Sequence, residues 1–189
     1  QVSGLSTQGV LAILAYIAPA GGAGTKPVFE KNCPAGAPTF ASEADAPRWG
    51  GWSPGVTNAR YQQTQAAGLS AADVPKLKLK WAWGFPLGIS AYNQPAIAAG
   101  RIFTGSDVGW VYSLDAKTGC YYWGFEVGNT TRGALSVGPV TGVANTRYAV
   151  YFGDAKANVY ALDAQTGRLL WKRKVEEHFQ IGRASCRER

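Results

Sequence analysis

Two stretches of this chain are near copies of each other. Residues 101–127 read RIFTGSDVGWVYSLDAKTGCYYWGFEV, and residues 147–175 read RYAVYFGDAKANVYALDAQTGRLLWKRKV. An aspartate, a glycine and a tryptophan of the first copy recur 48 positions later, and the two tryptophans are Trp123 and Trp171. A fixed period of this size indicates a protein built from stacked structural repeats.

Each copy divides into short apolar runs separated by turns. In the first copy the runs are 102–105, 110–115 and 120–127, and residues 94–98 are the candidate for a fourth. Runs of about five residues, rich in Val, Tyr, Phe and Trp and separated by glycine turns, are typical of antiparallel strands. Because Trp123 is too large to bury within one small sheet, each unit needs a neighbouring sheet. Four strands per unit, repeated radially, predict a β-propeller.

The second turn of the unit has a defined chemistry. Asp115 and Thr118 are expected to bond the backbone of the turn, since short polar side chains do so readily. Gly119 is expected to supply a positive φ, which glycine adopts without steric cost.

The motif Ala-x-Asp-x-x-Thr-Gly-x-x-x-Trp resembles the tryptophan-docking motif of the pyrroloquinoline quinone (PQQ) dehydrogenases. Residues 161–171 match it in full, residues 113–123 match with Ser113 in place of Ala, and a degenerate third copy ends at Trp81. In that family the tryptophan packs between adjacent blades of an eight-bladed propeller. The resemblance implies an all-β fold: a partial β-propeller with tryptophan-docked, four-stranded blades and a short N-terminal helix.

The chain divides into four predicted regions. Residues 1–18 are predicted to form a helix, which resembles the end of a cytochrome c domain; a signal-peptide core is the alternative. Residues 19–47, rich in Pro, Gly, Ala and Ser, predict a linker. Residues 48–180 are assigned to the first blades. Residues 181–189 break the repeat and are predicted to be a non-native tail. Since two or three blades cannot close a propeller, we expect an internal part of a longer protein.

Composition excludes two classes of function. The formal charge is +7, from 19 Lys and Arg against 12 Asp and Glu. These charges are scattered apart from clusters at 76–80, which alternates with leucine, and at 172–174; both lie on predicted strands, which favours a solvated strand face. The sequence has no basic stripe with interleaved aromatic residues, so nucleic-acid binding is not indicated. The apolar run near the N-terminus is too short for a transmembrane span.

Cysteine and histidine predict no metal centre. Outside the predicted tail the cysteines are Cys33 and Cys120, which we predict to be free thiols; a disulfide in an oxidising compartment is the alternative. No metal-ligand spacing occurs, and the single histidine, His178, is predicted to be a surface residue.

Two further segments precede the full repeats. Residues 49–62 resemble the segment that leads into quinoprotein propellers, with matches at Asn58, Arg60 and Tyr61. We interpret this segment as a structural loop that pins the first strand. Residues 76–85 are predicted to be a strand that ends a blade.

Two residues are predicted to bind a cofactor. Gln94 stands where PQQ alcohol dehydrogenases often carry a glutamate beside the quinone, and this departure favours the polyvinyl-alcohol dehydrogenase branch, whose members are cytochrome-fused. Arg132, followed by Gly133, resembles the Arg-Gly whose arginine approaches the quinone oxygens. A permanent cation with a planar donor fork suits that role; the alternative is a loop arginine that contacts solvent. No catalytic base is assigned, because Asp107 and Asp154 are predicted to be turn residues.

The resemblance implies a PQQ-dependent dehydrogenase that oxidises alcohol groups, with polyvinyl alcohol as a candidate substrate. It further implies Ca²⁺ with ligands outside these residues, a cytochrome c electron acceptor, haem c in an upstream domain, and a periplasmic or secreted location. The alternative is a propeller scaffold without a cofactor, as in outer-membrane protein assembly or sensing. Polar residues that converge on the propeller axis would favour the enzyme.

Overall fold

The computed structural model describes residues 31–35, 39–40, 49–55 and 57–177 of the chain. The predicted helix at 1–18, most of the predicted linker at 19–47, His178 and the predicted tail at 181–189 lie outside the described residues.

The described elements are two short helices and ten strands. They are α1 (Thr64–Ala67), a 3-10 helix (Ala71–Lys76), β1 (Asn93–Gln94), β2 (Ala96–Ala98), β3 (Arg101–Gly105), β4 (Trp110–Asp115), β5 (Tyr121–Glu126), β6 (Gly133–Ala134), β7 (Ser136–Pro139), β8 (Tyr148–Gly153), β9 (Asn158–Asp163) and β10 (Leu169–Lys174).

Eight of these strands form two four-stranded sheets. Blade 1 has the order β2-β3-β4-β5, and blade 2 has the order β7-β8-β9-β10. All pairs within a blade are antiparallel and join neighbours in sequence. The prediction of two antiparallel blades from the 48-residue period is therefore confirmed.

The blades also share an irregularity. In blade 1 the register of β4 with β5 shifts between Ser113 and Leu114, and in blade 2 the register of β10 shifts between Leu169 and Trp171. Each bulge adds one residue immediately before the motif tryptophan. A bulge re-aims the side chain beside it, so the repeat preserves the tryptophan's direction as well as its position.

Trp123 joins the two blades. Its side chain is buried at 8% exposure, and its indole N–H donates to the carbonyl of Ala164 at 3.2 Å. The ring covers Gly167 so closely that a Cβ there would lie 2.6 Å from a ring carbon. Trp81 repeats this contact on blade 1, where it donates to Ala116 and covers Gly119. The docking role predicted for Trp123 and for the degenerate copy at Trp81 is confirmed.

The strand predicted at 76–85 is wrong. Lys76 ends the 3-10 helix, and residues 77–85 form no strand among the described part of the chain. Alternating Leu and Lys predicted a strand, yet alternation supplies no partner, and a strand is defined by the partner that bonds its backbone. A partial third blade, which the degenerate motif copy ending at Trp81 implies, is likewise not formed by these residues. The third described sheet is instead a parallel pair of β1 and β6.

The prediction of free thiols is also wrong, because Cys33 and Cys120 form a disulfide. Residues 31–33 pair with the outer edge of blade 1: the Tyr121 N–H donates to Lys31, and the Cys33 N–H donates to Tyr121, each at 2.9 Å. This pairing brings together two cysteines that are 87 residues apart. The short segment also covers an edge strand that would otherwise be unpaired there.

Phe40 and Arg101 fill the space between the blades. Phe40 is buried and makes edge contacts with Phe103 and Tyr148. The Arg101 guanidinium is 4.1 Å from the centre of the Tyr122 ring and donates to carbonyls of blade 2. Burial lowers the pKa of Arg101. These bonds compensate for the removal of a cation from water.

The segment before blade 1 pins its first strand, as predicted. Trp49 and Ile97 exchange two backbone hydrogen bonds, at 2.9 and 2.7 Å. Farther along, the Arg60 N–H donates to the Ser53 hydroxyl, and its guanidinium lies over the Trp52 ring.

Candidate cofactor-binding site

The blades have two chemically different ends. We call one the docking end; it contains the β4–β5 turn at 116–119 and the β9–β10 turn at 164–167. We call the other the connector end; it contains the β3–β4 turn at 106–109, the connector between blades at 127–132, and the β8–β9 turn at 154–157.

Aspartates organise the turns of the docking end. Asp115 accepts bonds from the N–H and hydroxyl of Thr118, and Asp163 accepts the same pair from Thr166. Thr146 also donates its hydroxyl to Asp163. Burial raises the pKa of the Asp163 carboxyl, but the bonds from Thr146 and Thr166 outweigh it, so the net pKa lies below the usual value. These carboxylates are occupied by turn structure, as predicted for Asp115.

The connector end brings the two predicted cofactor-binding residues together. The parallel pairing of β1 with β6 places Asn93 opposite Gly133 and Gln94 opposite Ala134. Arg132 directly precedes Gly133, so it lies beside the strand that carries Gln94. The pairing of the two strands is an observation; that Arg132 and Gln94 form one site and bind a quinone stays a prediction.

Arg132 presents a cation to solvent. Its guanidinium carbon is 4.4 Å from the centre of the Tyr92 ring, which is a cation–π contact. The side chain is exposed, and it forms no ion pair with a carboxylate in the described part of the chain. An unpaired guanidinium of this kind suits a planar, anionic ligand.

A buried polar chain lies beneath Arg132. The Asn93 side-chain amide donates to the Thr131 hydroxyl at 2.8 Å, and that hydroxyl donates to the Ser106 carbonyl at 3.0 Å. Both side chains sit on Gly105, where a Cβ would lie 2.1 Å from Asn93 and 2.5 Å from Thr131. This series of hydrogen bonds was not predicted from the sequence. A glycine at the end of a strand of large residues was the available signal, since it marks close approach of another group.

Blade 2 supports the connector from the other side. The Ala155 N–H donates to the Thr130 carbonyl at 2.9 Å, and Thr131 forms a backbone bridge with Asp154. Asp154 is buried and accepts bonds from the Asn158 amides and from the Tyr160 hydroxyl. Burial raises the pKa of Asp154, and these bonds lower it by more, so the carboxyl is held ionised. Asp154 is thus a turn residue, as predicted.

Asp107 also serves its turn region. Its carboxylate accepts from the Ile89 N–H at 3.4 Å, and its carbonyl accepts from the Thr130 hydroxyl at 2.9 Å. Nearby, the buried Asn93 Oδ1 and Asn129 Nδ2 have no hydrogen-bond partner within the described ranges. Buried polar atoms without partners are rare, and each needs an explanation, of which a functional role is one.

The described residues contain neither a cluster of metal-ligating side chains nor a membrane-spanning helix. No group of three His, Cys, Asp or Glu side chains there is arranged to hold a metal ion. No helix in that same part of the chain is long and apolar enough to span a membrane.

The fold and the connector end define a repeat propeller with tryptophan-docked blades. Residues 60–181 match the family model PQQ_2, described as outer membrane protein assembly factor BamB. This match covers more than half of the chain, and the chain therefore belongs to this family.

Similar proteins give the comparison more detail. The chain is 43% identical over 130 residues to a polyvinylalcohol dehydrogenase of Pseudomonas sp, covering 69% of this chain and 20% of that protein. It is 40% identical over 141 residues to a polyvinylalcohol dehydrogenase of Sphingopyxis sp. (strain 113P3), covering 75% of this chain and 21% of that protein. The predicted resemblance to the polyvinyl-alcohol dehydrogenase branch is confirmed. The chain spans about a fifth of the length of these curated relatives.

A solved structure supports the fold. A europium-containing methanol dehydrogenase superposes with a TM-score of 0.50 at 23% identity, over 69% of this chain and 23% of that one. The predicted propeller fold is confirmed by this likeness together with the two observed blades.

Proposed function

We propose that the full-length protein is a PQQ-dependent dehydrogenase that oxidises alcohol groups, with polyvinyl alcohol as its substrate class and cytochrome c as its electron acceptor. One observation of geometry carries the proposal: Arg132 directly precedes β6, which pairs with the strand that carries Gln94, and its exposed guanidinium has no carboxylate partner within the described residues. The similarity to two polyvinylalcohol dehydrogenases supplies the chemistry.

The residues present fit a quinone. Arg132 would bind an anionic oxygen through charge-assisted hydrogen bonds, which are roughly twice as strong as neutral ones. Tyr92 would keep the guanidinium flat, and Gln94 would donate or accept one neutral hydrogen bond. When bound, PQQ supplies the two-electron oxidising power that no amino-acid side chain here has.

The remaining parts of the proposal concern other regions of the protein. The Ca²⁺ ligands, the catalytic base and a haem c domain are expected outside the described residues. The Cys33–Cys120 disulfide supports a periplasmic location, because disulfides persist in oxidising compartments.

Quinone titration tests this function. We expect the full-length protein to bind PQQ and to support dye-linked oxidation of polyvinyl alcohol. Arg132→Ala should weaken PQQ binding by about ten- to a hundredfold, as expected for losing charge-assisted bonds of about 1.5–3 kcal/mol.

Arg147→Ala is the matched control. Arg147 is also exposed, but it precedes β8 at the docking end, so its loss should leave the dissociation constant unchanged. If the Arg132→Ala variant and the parent bind PQQ equally well, Arg132 is a loop residue with no part in PQQ binding.

The second candidate is a scaffold without a cofactor, and the description of the matching family favours it. That function needs the blades and their docking contacts, and it needs no convergence of Arg132 with Gln94. Full-length protein that binds no PQQ, with or without Ca²⁺, would establish the scaffold as the better assignment.

A further inference from the structure

We propose that Thr131 is a positioning residue that fixes Arg132 for its anionic ligand by joining the connector to both blades. This inference rests on the proposed function. It concerns a residue that touches no ligand itself and acts through its neighbour.

One hydroxyl group, that of Thr131, bonds the connector to blade 1. Thr131 is 1% exposed, and its Oγ1 accepts from the Asn93 amide while donating to the Ser106 carbonyl. The Thr131 N–H also points to the Ser106 carbonyl, at 3.4 Å. A single side chain thus ties the connector to β1 and to the β3–β4 turn of the same blade.

The absence of a side chain at Gly105 leaves room for the Thr131 hydroxyl. Gly105 ends β3 directly under Thr131 and Asn93, and a Cβ there would overlap both. Because any larger residue at position 105 would place its Cβ there, the Thr131 and Asn93 side chains can occupy this slot only above a glycine.

The hold from blade 2 is made by backbone. Ala155 donates to Thr130, Thr131 bridges Asp154, and Asp154 is itself fixed by Asn158 and Tyr160. The residue before Arg132 is therefore held from two blades at once.

Thr131 acts on the ligand through the arginine backbone. The position of a bidentate cation must be held within roughly half an ångström for its bonds to form well. Tyr92 orients the guanidinium plane, whereas Thr131 fixes the point from which that side chain starts.

The test is a double-substitution cycle on PQQ affinity in the full-length protein. Thr131→Val keeps the side-chain shape and removes both hydroxyl bonds. We expect it to weaken PQQ binding about tenfold, or about 1.4 kcal/mol. Added to Arg132→Ala, it should cause no further loss, because a positioning residue has nothing left to position. Thr131→Ser, which restores the hydroxyl, should recover most of the affinity.

Thr146→Val is the matched control. Thr146 is also a buried threonine, and it donates its hydroxyl to Asp163 at the docking end. Its loss should lower stability and leave PQQ affinity unchanged. If the Thr131→Val protein fails to fold, Asn93→Ala removes one of the two bonds, and about threefold weaker binding is expected.

The outcomes separate the two proposals. If the parent binds PQQ and Thr131→Val binds equally well, the positioning role falls and the enzyme function stands. Additive losses in the cycle, or an equal loss in Thr146→Val, would also overturn the positioning role. If the parent binds no PQQ, the enzyme function and this inference fall together.

Discussion

The docking end and the connector end of the blades follow opposite rules. At the docking end the blades are copies: each turn has an aspartate that accepts from a threonine, then a glycine covered by a tryptophan. At the connector end they differ, since blade 1 has Ser106 and Asp107 in its turn where blade 2 has Asp154 and Ala155. Repetition thus encodes the stacking of the blades, whereas the non-repeated end holds the residues that we propose to bind the ligand.

The two ends also differ in how their polar groups are satisfied. The docking-end aspartates have their acceptor capacity taken by turn residues. At the connector end Asp154 is bonded in the same way, but the buried Asn93 Oδ1 and Asn129 Nδ2 have no hydrogen-bond partner within the described residues. Substitutions at the docking end should therefore change stability, and substitutions at the connector end should change binding.

The largest effect is expected at Trp123. Replacing this buried ring by alanine in the full-length protein should lower the free energy of unfolding by about 3–5 kcal/mol, because it removes a large contact and leaves a cavity. Chemical unfolding measures the loss. Trp52→Ala is the control, since that ring is 38% exposed. Similar losses in both variants would mean that the contact between the blades adds no stability beyond that of an exposed tryptophan.

A smaller effect isolates the contact of the tryptophan with its glycine. Gly167 has φ +74° and lies under the Trp123 ring, whereas Gly142 has φ +77° and open space around its Cβ position. Alanine at either site should cost about 1–2 kcal/mol for left-handed backbone. Gly167→Ala should cost about 1–3 kcal/mol more, because the methyl group displaces the ring. Equal thermal shifts in the two variants would contradict the close packing.

The smallest effect concerns pH. The pKa of Asp163 is lowered in the folded state, so its stabilisation is present above about pH 4, the unfolded value. That stabilisation is lost as pH falls through the folded pKa. Asp163→Asn should reduce stability at neutral pH by about 1 kcal/mol and flatten the acid side of the profile. An unchanged acid slope would show that the carboxylate is not coupled to folding.

The repeat explains how much of the fold was predictable. Both blades, the docking of Trp123 and the turn roles of Asp115, Thr118 and Gly119 follow from residues whose partners are near in sequence or recur with the period. Local chemistry and periodicity carry that information directly.

The missed features depend on distant partners. Cys33 reaches Cys120 because residues 31–33 pair with the outer strand of blade 1, and nothing local in a proline-rich segment predicts that pairing. The prediction of a strand at 76–85 was wrong for the same reason. The residues alternate as in a strand, but no other strand among the described residues pairs with them.

The candidate site stays a prediction. Gln94 and Arg132 were selected by resemblance, and the structure shows that Gln94 lies on β1 and that Arg132 directly precedes β6, the strand that pairs with β1. Thr131 and Asn93 were missed, because a threonine and an asparagine in a connector have many ordinary roles. Gly105 was a local signal of close approach, but its three-dimensional position beneath Thr131 and Asn93 is needed to show which side chains occupy the slot.

The separation of roles between the two ends is tested most directly by the structure of the full-length protein with bound PQQ. The account predicts that the quinone lies at the connector end, with an anionic oxygen within hydrogen-bond distance of the Arg132 guanidinium and with Gln94 beside it. Quinone density at the docking end, or at the connector end with Arg132 turned away from it, would contradict the account.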